Sequence, residues 1–129
     1  MDAAVVRFTT AIFDVSKERL NDINPIYGES LLVWLADALK GQVSLPRPET
    51  EDWGWYVDLE YHGRKYMLGA SASDEEENGS REWVLQIVKH RSLTEKLTGK
   101  EKITTEDPCV QLVLQVLRNE PAFTDVALE

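Results

Sequence analysis

EDWGWYVDLEYHGRKYMLGAS, residues 51–71, is the stretch on which the fold turns. From Trp55 it alternates with period two, setting Trp55, Val57, Leu59 and Tyr61 on one face and Tyr56, Asp58, Glu60 and His62 on the other. His62-Gly63 or Gly63-Arg64 then supplies a positive-φ turn. KYMLGAS returns with Tyr66, Leu68 and Ala70 alternating against Lys65, Met67 and Gly69. The pattern is that of an antiparallel hairpin with one apolar and one polar face.

Working outward, WVLQIVKH (83–90) is a third strand, apolar on both faces over Trp83 to Ile87 and so expected in the interior of a sheet. SASDEEENGSRE (71–82) is a solvated loop that closes a second hairpin. It lacks the ligand spacing and closing Glu of a twelve-residue calcium loop. AAVVRFTTAIFDV (3–15) is read as a leading strand with Val6, Phe8 and Ile12 on one face.

A helix is expected from about Asn24-Pro25 or Gly28 to Gly41, with Leu31, Leu35 and Leu39 at i, i+4, i+8 and Leu32 and Ala36 beside them. SLPRPETED (44–52), with two prolines, is a loop. SLTEKLTGK makes a helical turn or two. A second long helix opens at Asp107-Pro108, with Val110, Val113, Leu114 and Leu117 as its stripe and Pro121 as its stop. FTDVALE adds a short edge strand or trails away. The expected order is β-α-β-β-β-α with a possible C-terminal strand. This is a single α+β domain over residues 1–129, an antiparallel sheet with two main helices packed on one face.

Composition narrows function. The 14 basic and 23 acidic side chains give a net charge of −9, which repels phosphate backbones and anionic membranes, so neither nucleic acid nor membrane is expected as a partner. No apolar run approaches the ~20 residues of a membrane helix, and the N-terminus does not read as a signal peptide; a cytoplasmic location is the default expectation. The single cysteine, Cys109, lies on the apolar stripe of the last helix and reads as a small buried hydrophobe. Charge is also unevenly spread: residues 89–102, KHRSLTEKLTGKEK, hold five Lys or Arg against two Glu.

Two candidate sites follow. Trp53 and Tyr56 lie off the apolar strand face, and with Glu51, Asp52 and Asp58 they would suit a basic protein partner; otherwise Trp53 caps one end of the core. Asp58, Glu60 and His62 at i, i+2, i+4, joined by His90 if its strand is adjacent, could ligate zinc, iron or manganese in a metal-dependent enzyme. Yet Asp, Glu and His are also what the wet face of an antiparallel sheet contains. The nucleophile-elbow, phosphate-loop and zinc-protease signatures are absent, so binding without turnover, with no cofactor, is the leading expectation. A homodimer that buries the aromatic surface is a third.

In size, acidity and the α-β-β-β-α portion of its order, the chain resembles two groups of bacterial proteins: small immunity proteins that neutralise toxins, and secretion chaperones that hold effectors. The resemblance is one of architecture and carries no motif. The leading strand departs from the helix-first order of the chaperones. What it implies is a stoichiometric complex with another protein, without assigning residues to it.

Overall fold

The computed structural model describes residues 3–76 and 78–129; Glu77, in the acidic loop, lies outside the described residues. Six strands, β1 (Ala3–Thr10), β2 (Glu49–Glu51), β3 (Gly54–Tyr61), β4 (Arg64–Ala72), β5 (Arg81–Lys89) and β6 (Thr124–Leu128), form one sheet in the order β2-β3-β4-β5-β1-β6. Every neighbouring pair is antiparallel. The helices are α1 (Glu29–Ala38), the short α2 (Leu93–Thr98) and α3 (Pro108–Arg118). The fold is α+β, as expected.

Period two does its work across the whole sheet. Ala4, Val6 and Phe8 of β1, Trp55, Val57 and Leu59 of β3, Tyr66, Leu68 and Ala70 of β4, and Trp83, Leu85 and Ile87 of β5 are buried on one face. Over them lie Leu31, Leu32, Leu35 and Leu39 of α1 and Cys109, Val110, Val113, Leu114 and Leu117 of α3. Removing this apolar surface from water drives the fold at roughly 25 cal/mol per Å². Phe123 closes one end, its ring 4.5 Å from Phe8 and 4.8 Å from Trp34. The hairpin turn is His62-Gly63, at φ +51° and +75°, the geometry that matches strand twist.

Two expectations need correction, and one that was open is decided. The first strand does not run to Val15: it ends at Thr10, whose hydroxyl accepts the Ile12 N–H at 3.3 Å and turns the chain, leaving Ile12 exposed rather than on the core face. The loop at 44–52 is not wholly irregular. Glu49–Glu51, which starts just after Pro48 and has all its N–H groups, adds an edge strand on β3. The C-terminal strand, left open by the sequence, is β6; it pairs with β1 through an irregularity at Arg7/Thr9.

The long segment between β1 and α1 is pinned rather than loose. The Glu18 carboxylate accepts the N–H groups of Gly28, Glu29 and Ser30 at 3.0, 3.1 and 2.9 Å, satisfying the orphan donors that open α1. The buried Asn21 amide donates to the carbonyls of Glu51 and Gly54, and Asn24 donates to that of Asp52 at 2.7 Å. These bonds fix the β2–β3 turn, the element that carries Trp53.

Candidate functional site

Both long helices lie on one face of the sheet, and the other face is left uncovered by any described element. Its strands present Val5 and Arg7, Tyr56, Asp58 and Glu60, Lys65, Met67 and Gly69, and Val84, Gln86 and Val88, most of them half-buried by their neighbours alone. Register sets them in rows: Val5, Gln86, Gly69 and Tyr56 in one, Val88, Met67 and Asp58 in the next.

Trp53 belongs to this uncovered face. Its ring lies over Gly69 so closely that a Cβ there would sit 2.5 Å from the indole Cη2 and 2.7 Å from Cζ3, with the Met67 Cε also nearby at 3.5 Å. The reading of Trp53 as a cap on the core is thereby replaced. The missing side chain at position 69 makes a berth in which an aromatic ring shields an otherwise bare backbone. Tyr56, in the same row as Gly69, donates its hydroxyl to Glu49 at 2.9 Å. That bond, with the Glu49 charge, raises its pKa. Glu51 is half-buried beside the turn, while Asp52 and Asp58 are exposed. Trp53, Tyr56 and Asp58 thus share the uncovered face, with Glu51 and Asp52 at the β2–β3 turn beside it.

The alternative ligand set is brought together only in part. Asp58, Glu60 and His90 line an open groove of about 530 Å³ with Leu59, Lys65 and Tyr66, and His90 Nε2 stands 3.8 Å from Asp58 Oδ1. His62 does not join them. The alternation stops at Tyr61 because His62 takes up the left-handed turn conformation, and its imidazole stacks on Tyr61 at 4.1 Å. Among the described residues no three His, Cys, Asp or Glu side chains converge to hold a metal ion.

Beneath the helix-bearing face lies a polar cluster that the sequence pattern did not disclose. Asp107 caps α3 by accepting the Cys109 N–H at 2.9 Å, accepts the Tyr66 hydroxyl at 2.9 Å, and stands 3.3 Å from the Lys89 ammonium. Lys89, 9% exposed, also meets Glu101 at 3.0 Å. Burial and the Asp107 carboxylate push the Tyr66 phenol well above its ordinary value. Burial raises the Cys109 thiol to about 12, which makes it inert as a nucleophile at neutral pH. With every partner inside the chain, this cluster is structural.

The helical turn expected in SLTEKLTGK is α2, but what fastens it was not in the pattern. Ser92 and Glu95 form a capping box, Gly99 closes the helix in the left-handed conformation, and Arg64 grips the Glu95 carboxylate at 2.9 and 3.1 Å. Leu93 and Leu97, one turn apart, are 73% and 79% exposed. The i, i+4 spacing was visible in LTEKLT; the side on which it would fall was not.

Compared with family models, with characterised proteins and with solved structures, the chain matches none.

Proposed function

We propose that this protein is a binding module without turnover, whose uncovered sheet face receives a basic protein partner around Trp53 and Tyr56. The observation that carries the reading is the seat of Trp53: a large aromatic placed outside the core, half-buried, held over Gly69, with Glu49, Glu51, Asp52 and Asp58 on the adjoining β2–β3 segment. Aromatic anchors within a charged rim are the usual centre of a protein interface. The turn that bears this one is fixed from below by Asn21 and Asn24, so little ordering is required on binding. The five carboxylates of Glu49, Glu51, Asp52, Asp58 and Glu60 make a basic surface the complementary one.

The test is capture from a lysate of the source cells on wild-type protein and on Trp53→Ala/Tyr56→Ala, with native near-UV dichroism of the variant as the control. A partner held at about 0.05 M salt, released near 0.5 M and lost by the variant supports the reading. Equal retention by both proteins, or indifference to salt, sinks it.

A further inference from the structure

Helix α2 is built inside out. An amphipathic helix on a globular protein turns its apolar side to the body and its charges to water. In α2 the charged Glu95 faces the body, clasped by Arg64 at 2.9 and 3.1 Å, while Leu93 and Leu97 face solvent. The Arg91 guanidinium adds a bond to the Glu95 carbonyl at 3.1 Å, and Arg64 also donates to the His90 carbonyl at 3.0 Å. The helix is thus fastened by its polar side and presents its leucines.

Around the leucines the surface is basic. Lys96, Lys100 and Lys102 are exposed and make no ion pair with any described residue, whereas the acids of this segment are engaged, Glu95 with Arg64 and Glu101 with Lys89. An apolar tip in a ring of lysines is the inverse of the other surface described above, where Trp53, Tyr56 and Met67 lie within a ring of carboxylates. The two cannot meet inside one molecule. Arg64, just after the β3–β4 turn, holds α2 at that end of the sheet, whereas Trp53 lies before Gly54 at the other end of the eight-residue β3.

We infer that these two surfaces dock between molecules, the α2 tip of one copy seating Leu93 and Leu97 on the acidic aromatic face of the next. This rests on the function proposed above and names the basic partner as a second copy. The contact joins two different patches, so it is heterologous: it leaves one of each free at the ends and continues into a chain or a ring. Copies with a net charge of −9 repel one another at long range. A Debye length near 10 Å at about 0.1 M salt removes that repulsion while leaving pairs in contact largely intact. Association is therefore strongest at moderate ionic strength and weaker on either side.

The experiment is sedimentation velocity of the full chain from about 10 to 300 µM at about 0.1 M salt, the range in which a small interface dissociates. Two variants confined to exposed side chains are compared: Leu93→Ser/Leu97→Ser, which blunts the tip, and Asp52→Lys/Asp58→Lys, which reverses the face; native melting confirms that each is folded. Wild type is expected to shift to larger species with concentration. Each variant alone loses this association by tenfold or more. Their equimolar mixture recovers a species that stops at the dimer, since one sound tip meets one sound face. A monomeric wild type overturns the inference, as does association that survives in either variant or a mixture that stays monomeric. If wild type is monomeric yet still captures a basic protein through Trp53 and Tyr56, only the identity of the partner is lost.

Discussion

Gly54 and Gly63 both have positive φ, at +148° and +75°, yet they are not equivalent. A Cβ at Gly63 meets nothing within 4 Å, whereas one at Gly54 would lie 2.3 Å from the Ala70 carbonyl oxygen, a backbone atom that cannot step aside without breaking the sheet. Gly63→Ala is expected to cost about 1 kcal/mol, the ordinary penalty of left-handed backbone, and Gly54→Ala about 3 kcal/mol or more, because strain and collision add. Urea denaturation of the two variants checks the order, and similar midpoints would refute it. Asp107 is the other position where a single group decides much. Replacing it by Ala removes a cap, strands the Tyr66 hydroxyl and takes a carboxylate from the 9%-exposed Lys89; a loss of about 3 kcal/mol is expected from the buried charge left behind. Glu101 still reaches that ammonium, which keeps the figure at the lower end of the range for broken buried pairs. Cys109, sealed in the same region, should react with a thiol reagent only at the rate of unfolding, and rapid modification of the native protein would contradict its burial.

Helix α2 has six residues and none of them is buried, so neither helix propensity nor hydrophobic burial can hold it. What remains are the caps and the Arg64–Glu95 clasp. Arg64, together with the Ser92 N–H, brings the Glu95 carboxyl down to about 2. A folded-state value below the ordinary 4.5 means that the clasp contributes fully above pH 4.5 and is lost as pH falls towards 2. The amides of residues 93–99 should therefore lose hydrogen-exchange protection over that window while those of β3–β5 keep theirs. Uniform loss across all of these elements would show that the clasp is no local device. Sequence periodicity marked every long element because each buries a continuous face, as the alternation in β3 and the leucine stripe of α1 show. It stopped short where a hydrogen bond and not a pattern sets the geometry: Thr10 ending β1, His62 leaving its strand face for the turn, and Glu95 turning α2 outward. The three-residue β2 exists only because β3 offers it an edge, and no local signal in a proline-rich stretch could reveal that. For the candidate site, alternation placed Tyr56 and Asp58 on the polar face, but the seating of Trp53 depended on a glycine sixteen positions away in the chain and two strands over from β2.

One sheet, covered on one side by both long helices, leaves no second core that could melt by itself. β6 looks peripheral, paired with β1 through few residues and partly exposed, yet Phe123, just before it, is buried in the end of the core it closes. Its ring lies 4.5 Å from Phe8, 5.8 Å from Phe13 and 4.8 Å from Trp34, so it ties β1, the following loop and α1 to the C-terminal segment. If the molecule folds as one unit, removing this ring must be felt everywhere. Phe123→Ala is expected to cost about 3–5 kcal/mol, the range for truncating a buried aromatic. At this chain length that is a fall in melting temperature of roughly 10–20 °C. Both wild type and variant should unfold in a single transition, with tryptophan fluorescence and far-UV dichroism coinciding. Fluorescence is a fair probe of the whole because Trp55 and Trp83 report the core, Trp34 the helix and Trp53 the uncovered face. If Phe123→Ala instead frays β6 alone, the dichroism transition would stay near the wild-type midpoint and a separate early step would emerge. That outcome would mean the sheet needs only β1 to β5, with β6 an accessory edge. A shared collapse of both signals would establish that the C-terminal aromatic is part of the core that keeps the uncovered face in shape.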